Sequence, residues 1–252
     1  MQRFKNRNVM ITGASSGIGK AAALRIAQEG GNLALVDINE EKLKITAQEL
    51  KTLGHQVYYQ KCDVSDFSAT QQAIDHLCKE LGGIHALSHN AGILRCYHTH
   101  EMTSQQWNEM ISVNLTGTFN VNRHAIPHLL KNPRSYLVNT SSIAIDQPHP
   151  WMSAYAATKG AIKAFTRSIF IEYFLQGLHA NCVLPGSIKS ELGDDFTVPP
   201  GANRDLIKTL IPLGESRTVS PEHVASVIAM LTSDDAIHIN GTEITVDGGR
   251  IF

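Results

Sequence analysis

The sequence predicts an α/β fold, a Rossmann-like, doubly wound parallel sheet of seven strands with helices on both faces. Short apolar runs alternate with helix-forming stretches, a glycine-rich turn joins the first run to the first helix, and no repeat or linker interrupts the pattern. The 252 residues suit one large α/β domain. We therefore expect one domain over residues 1–252, with a substrate lid at about 187–220 where the chain becomes loop-like.

Composition excludes several classes of function. The formal net charge is −1, from 22 basic and 23 acidic residues without a basic cluster, so neither nucleic acid nor an anionic membrane is an expected partner. Four scattered cysteines without a CxxC motif argue against a zinc or redox site, and the metal-like spacing of Cys96 to His100 lacks a fourth ligand nearby. We find neither a signal-like N-terminal stretch nor a membrane-length apolar run, and expect a cytoplasmic protein.

The first strand, Asn8–Thr12, runs into a GxxxGxG turn and then a strong helix former. Glycines at such a junction bring backbone N–H groups against a pyrophosphate at the positive end of the helix, although an ordinary loop is the alternative. The spacing departs from the GxGxxG fingerprint of dinucleotide sites. The expected cofactor contacts in this turn are Gly13, Ser15, Ser16, Gly17, Ile18 and Gly19.

The second strand, Asn32–Asp37, ends on a carboxylate 18 residues after Gly19. An acid at this tip accepts hydrogen bonds from the adenosine ribose and repels a 2′-phosphate, which favours NAD over NADP. Ile38 follows it, and neither Arg nor Lys stands where a 2′-phosphate needs a cation. The alternative is that Asp37 caps the next helix.

The alternation continues to the end of the chain. We predict helices at 40–53, 67–81, 104–130, 204–210 and 221–231, the last capped by Ser220, and strands at 56–61, 84–89, 135–142, 178–184 and 242–246. Asp63 and Val64 follow the third strand, where an adenine ring could lie, unless Asp63 only caps a helix. The fourth strand ends in Asn90, Ala91 and Gly92, small residues suited to a ligand or to a plain turn.

Two segments carry candidate catalytic side chains. Asn114 lies close to Gly117 in a helical stretch, which could interrupt the helix and leave a carbonyl for a relay water, unless the asparagine is simply buried. Tyr155 and Lys159, at i and i+4, share a helix face. A lysine charge about 5 Å away favours the phenolate by roughly 3 kcal/mol at an effective dielectric of about 20, which brings the phenol pKa toward about 8. A chance pairing is the alternative.

Together these motifs resemble the short-chain dehydrogenase/reductase family from about residue 8 to residue 249. The glycine turn is similar to its TGxxxGxG, and 89–92 to its NNAG with His89 for the first Asn. Residues 185–190 resemble its PGxIxT, with Ser190 for Thr; this segment would hold the nicotinamide through Pro185, Gly186, Ile188 and Ser190. The resemblance assigns a catalytic tetrad of Asn114, Ser142, Tyr155 and Lys159, and the 13-residue gap to Tyr155 selects Ser142 over Ser141.

The resemblance implies hydride transfer between NAD(H) and a secondary alcohol or ketone, with Tyr155 as acid/base, Lys159 lowering its pKa, Ser142 on the substrate oxygen and Asn114 in a water relay. Alternatives are an NADPH-dependent 3-oxoacyl-carrier-protein or acyl-CoA reductase, and a non-catalytic NAD-sensing protein. A homotetramer or homodimer, through the helices around Asn120 and Phe165, is also implied. Candidate substrate contacts are Leu94, Ile143, Gln147, Trp151 and Leu184.

Overall fold

The computed structural model describes residues 2–189, 196–210 and 219–249, with the side chains of 208–210 left aside. Within these residues seven strands form one sheet in the order β3-β2-β1-β4-β5-β6-β7, and every neighbouring pair is parallel. The strands are β1 (Asn8–Thr12), β2 (Asn32–Asp37), β3 (Val57–Lys61), β4 (Ala86–His89), β5 (Ser135–Thr140), β6 (Leu178–Pro185) and β7 (Glu243–Val246). The predicted doubly wound α/β fold is confirmed.

Helices cover both faces of this sheet. They are α1 (Gly17–Gln28), α2 (Glu40–Thr52), α3 (Phe67–Leu81), α4 (Ser104–Met110), α5 (Gly117–Leu129), α6 (Ser153–Tyr173) and α7 (Pro221–Leu231), with 3-10 turns at Ile143–Ile145, Phe174–Gln176, Arg204–Leu210 and Asp234–Ala236. Among the described helices, none is long and apolar enough to cross a membrane.

The core lies in two layers because alternate side chains of a strand point to opposite faces. Val9 and Ile11 of β1 pack with α1 and α2, whereas Met10 between them packs with α3 and α5. Further along the sheet, α7 packs on β5 and β6 together with the start of α1. The strand order reverses between β1 and β4, so a crevice opens at the carboxyl ends of these strands.

The stretch predicted as one helix, 104–130, is three elements. A capping box of Thr103 and Gln106 starts α4, and a π-helical turn at Ile111–Thr116 separates α4 from α5. The Gly117 N–H bonds back to the carbonyl of Ser112, five residues earlier. A Cβ at Gly117 would lie 2.8 Å from Val64 Cγ2, so glycine lets this turn approach the segment after β3. The interruption expected near Asn114 is thus present as a π turn.

Two other local predictions differ from the structure. Strand β5 ends at Thr140 rather than at Ser142: the Ser141 N–H still bonds to the Val183 carbonyl of β6, and Ser142 then caps the 3-10 turn that follows. Ser220 precedes α7 as expected, but its hydroxyl bonds to the Glu222 carboxylate and does not cap the helix backbone. Of the predicted lid, 190–195 and 211–218 lie outside the described residues.

Candidate active site

A cavity of about 810 Å³ opens at the carboxyl edge of the sheet. Its walls include the segments that follow the first six strands of the chain, which is where open α/β sheets bind ligands. They are lined by Gly13, 15–19, 37–39, 62–64, 90–94, Val113, 140–144, His149, Met152, Tyr155, Lys159, 185–189, Phe196 and Ile207. All expected cofactor-contacting residues lie in this wall except Ser190, which falls outside the described residues.

The glycine turn brings the start of α1 to the cavity. Gly13 and Gly17 have φ angles of +66° and +51°, a region that other residues rarely adopt. A Cβ at Gly19 would lie 2.1 Å from the carbonyl oxygen of Gly13, so strand and helix can meet only without a side chain there. The N-cap residue, Ser16, makes no side-chain capping bond and the first turn contains no acid. This helix start therefore suits an anion such as a pyrophosphate.

The carboxylate of Asp37 ties β2 to the glycine turn. It accepts hydrogen bonds from the backbone N–H groups of Ser15, at 3.0 Å, and Asn39, at 2.9 Å. The residue that caps α2 is Asn39, which accepts from the Lys42 N–H. Asp37 therefore faces the cavity rather than serving as a helix cap.

Asp63 likewise does not cap the helix that follows it. The N-cap of α3 is Asp66, whereas Asp63 accepts hydrogen bonds from the N–H and hydroxyl of Ser65 at 2.9 and 2.7 Å. Val64 and Asp63 both line the cavity beside Asp37. The capping alternatives raised by the sequence are thus wrong at both carboxylates.

Asn114 is fully buried in the π turn and links two walls of the cavity. Its amide accepts from the Ile93 N–H at 2.7 Å and donates to the Ile93 carbonyl at 2.9 Å and to the Thr158 hydroxyl at 3.2 Å. Its main-chain carbonyl accepts from the Thr118 hydroxyl at 2.6 Å. The helix is therefore interrupted and the buried side chain is satisfied, as the two hypotheses expected, but the carbonyl is not left unbonded, and the relay water stays a prediction.

Ser142, Tyr155 and Lys159 meet where β5 ends and α6 begins. The Ser142 hydroxyl accepts from the Ala144 N–H at 3.1 Å, and its hydrogen-bonding influence on Tyr155 lowers the phenol pKa. The Lys159 ammonium lies 5.7 Å from the centroid of the Tyr155 ring and donates to the Thr140 carbonyl at 2.9 Å. Ser141 instead donates to the main-chain carbonyl of Lys159 at 2.8 Å, so its hydroxyl is engaged away from Tyr155.

Burial has the largest effect on the pKa values of Tyr155 and Lys159. It raises the pKa of Tyr155 to about 12, which the Ser142 interaction only partly offsets. Burial also lowers the pKa of Lys159 to about 8, so the lysine loses its positive charge as the pH rises past 8. The expectation that Lys159 alone brings the phenol toward 8 is therefore not met, because desolvation penalises both charged forms.

The residues expected to contact substrate divide into two groups. Leu94 and Ile143 line the cavity, but Gln147, Trp151 and Leu184 lie behind its wall. The Gln147 amide turns to the Asp247 carboxylate at 3.3 Å because the 3-10 turn redirects the chain after Ser142. The Trp151 ring packs 6.3 Å from that of Phe196, and Leu184 points into the core beside Ile143.

Other residues fill the substrate end of the cavity instead: Ile93, Val113, Ala144, His149, Met152, Phe196 and Ile207. They come from five separate segments, and no spacing in the sequence marks them as neighbours. The cavity wall there is apolar apart from His149. Among the described residues, no group of three or more His, Cys, Asp or Glu side chains is arranged to hold a metal ion.

A family model described as short chain dehydrogenase matches residues 7–198. The chain belongs to the short-chain dehydrogenase family. The meso-2,3-butanediol dehydrogenase of Serratia marcescens is 36% identical over 249 residues, which are 98% of this chain and 95% of that protein. The 3-oxoacyl-(acyl-carrier-protein) reductase FabG of Thermotoga maritima is 33% identical over 250 residues, covering 99% of this chain and 100% of that protein.

Among solved structures, a 3-oxoacyl-(acyl-carrier protein) reductase from Brucella melitensis with bound NAD superposes on this short-chain dehydrogenase with a TM-score of 0.85. The two are 34% identical, and the match covers 100% of this chain and 93% of that one. The chain is therefore an oxidoreductase, and the relatives just described are named as a butanediol dehydrogenase and as 3-oxoacyl reductases.

Proposed function

We propose that this oxidoreductase transfers a hydride between NAD(H) and a secondary alcohol or ketone, with Tyr155 as the acid/base. The observation that carries the proposal is the convergence of Ser142, Tyr155 and Lys159 in the same cavity as the glycine turn. A nucleotide site and an acid/base site that share one cavity are what hydride transfer to a nicotinamide requires.

Each residue of the tetrad has a separate role in the proposed reaction. A bound nicotinamide exchanges the hydride at its C4 and, when oxidised, adds a positive charge to the site. In oxidation Tyr155 takes the hydroxyl proton while the carbinol hydrogen leaves as hydride, so that a carbonyl forms; reduction reverses both transfers. Ser142 holds the substrate oxygen and lowers the Tyr155 pKa, and Lys159 supplies positive charge beside the phenol. Asn114 keeps the loop at Ile93 in place and supports a relay water at its carbonyl.

Charge around the cavity supports NAD rather than NADP. Among the described residues, the Lys and Arg side chains in the wall are Lys159 and Lys189, and both belong to segments on the side of β5 and β6. At the β2 end stand two carboxylates, Asp37 and Asp63. A 2′-phosphate there would meet negative charge without a cation to offset it, which disfavours its binding.

A comparison of the two cofactors on one alcohol tests this preference. We expect kcat/KM with NAD to exceed that with NADP by at least tenfold in the wild type, and this ratio to fall in Asp37→Asn. The Ser15 and Asn39 N–H groups bind different oxygens of the Asp37 carboxylate, so asparagine removes the charge and keeps an acceptor for one of these two bonds. A wild type that prefers NADP would overturn the assignment.

The apolar end of the cavity supports an uncharged, hydrophobic substrate such as a cyclic or branched secondary alcohol. A 3-oxoacyl thioester is the second candidate, since two similar proteins are named as 3-oxoacyl reductases. A panel of cyclic alcohols, vicinal diols and 3-oxoacyl thioesters distinguishes them. We expect the highest kcat/KM with an alcohol, and thioester reduction that exceeds every alcohol and ketone would favour the second candidate.

Tyr155→Phe tests the catalytic role directly. Removal of the phenol oxygen should lower kcat by at least a thousandfold, since it takes away the group that exchanges the proton with the substrate oxygen, while the Kd for NAD changes less than threefold. NAD binding is measured by quenching of tryptophan fluorescence. Substantial residual turnover would contradict the role, and a wild type that binds NAD but turns over no alcohol or ketone would favour the NAD-sensing alternative.

We further propose a homotetramer or homodimer that uses α5 and α6. Along α6 the small side chains of Ala157, Gly160, Ala161 and Ala164 permit close helix packing, and Ala157 and Ala164 are exposed. The apolar side chains of Phe119 on α5 and Ile171 on α6 are 43% and 74% exposed. Exposed apolar surface of this kind favours association.

A cytoplasmic location is proposed as well, and it agrees with four cysteines that form no disulfide.

A further inference from the structure

His89 is the last residue of β4 and lies beneath the cavity without lining it. It is 2% exposed, and it stands where the resembling family motif has asparagine. Its two ring nitrogens meet the hydroxyls of two threonines: Nδ1 lies 2.7 Å from Thr12 Oγ1, and Nε2 lies 3.0 Å from Thr118 Oγ1. The ring therefore joins the end of β1 to the first turn of α5.

The neighbouring hydrogen bonds fix the direction of each bond in this chain. Thr12 Oγ1 accepts from the backbone N–H groups of Asn90, at 3.1 Å, and Ala91, at 3.3 Å. A hydroxyl has two lone pairs and one proton, so the Thr12 proton must go to Nδ1 of His89. The ring proton then sits on Nε2 and is donated to Thr118, whose own proton goes to a carbonyl that can only accept.

That carbonyl belongs to Asn114, and the Thr118 hydroxyl lies 2.6 Å from its oxygen. The chain thus begins at the amides of the loop 90–92, which lines the cavity, and ends at the π turn. It requires a neutral ring, in agreement with burial and the Lys159 charge, which together lower the His89 pKa to about 3. Every polar atom of the chain has a partner, so the arrangement is a rigid link between two walls of the site.

The chain positions groups and does not conduct protons. Its first donors are main-chain N–H groups, which do not release their protons, so a proton that entered from the Asn114 side would have no exit. We propose that His89 is a positioning residue that, through Thr118, orients the Asn114 carbonyl for the relay and, through Thr12, holds the loop 90–92 against the nicotinamide. This inference rests on the function proposed above for Asn114 and the cofactor loop.

The Thr118 end is tested by a pair of variants. Thr118→Val keeps the shape but removes the hydroxyl, and we expect kcat to fall at least fivefold while the KM for NAD stays within twofold. Thr118→Ser returns the hydroxyl and should restore kcat to within twofold of the wild type. The control is Thr46→Val in α2, which also loses a buried hydroxyl bonded to the carbonyl four residues earlier but lies away from the cavity.

The ring itself is observed by ¹⁵N NMR of the cofactor-free protein, with the His89 signals assigned from their loss in His89→Asn. We expect a neutral ring protonated on Nε2 from pH 6 to 8, and a shifted Nε2 signal in Thr118→Val.

If that variant does not fold, Thr12→Val and Thr12→Ser test the Thr12 end of the hydrogen-bond chain. The valine should raise the Kd for NAD at least fivefold and the serine should not.

A ring protonated on Nδ1, a charged ring, or Thr118→Val with the kcat of Thr118→Ser would overturn the inference. These outcomes differ from failure of the proposed function, in which Tyr155→Phe keeps its activity or the wild type shows no turnover at all. In that case NMR would still report the tautomer of His89, but the positioning role of His89 in catalysis would be wrong together with the proposed function.

Discussion

At the scale of single residues, solvation decides the protonation of the proposed acid/base. Tyr155 and Lys159 are 8% and 3% exposed, and burial moves their pKa values to about 12 and about 8, toward the neutral form of each. With a pKa of about 8, Lys159 is mostly charged at pH 7 and loses its charge as the pH rises past 8, and an oxidised nicotinamide would add the second cation that favours the phenolate. The pair titrates as a unit, so its pH profile gives macroscopic values.

Ser142→Ala should move the pH profile of alcohol oxidation to higher pH. The serine interaction lowers the Tyr155 pKa, so its loss raises that pKa, and the phenolate needed for oxidation forms only at higher pH. Hydrogen bonds to charged groups contribute about 1.5–3 kcal/mol, so kcat at pH 7 should fall roughly ten- to hundredfold. The measurement is kcat against pH for oxidation under saturating substrate.

Ser141→Ala is the matched control for this change. Its hydroxyl donates to the Lys159 carbonyl rather than to the phenol, so the rising limb of kcat against pH should keep its position. The role assigned to Ser142 would be contradicted if the rising limb of the pH profile shifted equally in both variants, or if it shifted in neither.

At the scale of elements, two junctions shape the site. The strand-to-helix turn after β1 requires glycine because strand and helix touch backbone to backbone, and the π turn between α4 and α5 places the Asn114 carbonyl and side chain between two loops. Both junctions combine a local sequence signal with a contact to a distant segment. The signal can be found in the sequence, but the contact that uses it cannot.

Gly19→Ala and Gly160→Ala should have opposite effects on stability. The added Cβ at Gly19 meets the Gly13 carbonyl at 2.1 Å, so we expect a loss of about 1–3 kcal/mol in the free energy of unfolding and at least tenfold weaker NAD binding. At Gly160 the nearest atom, Ile145 Cγ2, is 3.9 Å away, and alanine in a helix interior should gain about 0.5–1 kcal/mol.

Urea unfolding and NAD titration measure both variants, at a protein concentration where they share one oligomeric state. Gly19→Ala with wild-type stability and affinity would show that the backbone relaxes at no cost, against the close approach seen here.

At the scale of the whole molecule, the switch in strand order between β1 and β4 gathers the functional segments at one edge of the sheet. Residues as distant in sequence as Gly13 and Ile207 line one cavity for this reason. The outer faces of α5 and α6 expose the apolar side chains on which the proposed oligomer depends. The description of residues 1–252 as one domain stays a prediction.

Ala164→Glu should weaken the proposed oligomer. Ala164 is exposed on α6, and a symmetric interface through this helix would bring the new carboxylate close to its copy, or bury it without a partner. Sedimentation velocity should show a tetramer or dimer for the wild type and a smaller species for the variant. Gln48→Glu, at an exposed position of α2, adds the same charge elsewhere and should leave the sedimentation coefficient unchanged. A monomeric wild type would contradict the proposal.

The sequence by itself determined the fold class, the family resemblance and the segments that line the cofactor end of the cavity, but not those at its substrate end. These depend on local signals, namely strand-helix alternation, glycines at one junction and a tyrosine and lysine one helical turn apart. Only the tertiary structure decided that Asn39 and Asp66 cap the helices and so leave Asp37 and Asp63 to the cavity. It also turned Gln147 away from the cavity and placed His89 between two threonines. The reason is physical: burial and the direction of a side chain depend on neighbours that lie far away in the chain, and these set pKa values and hydrogen-bond partners.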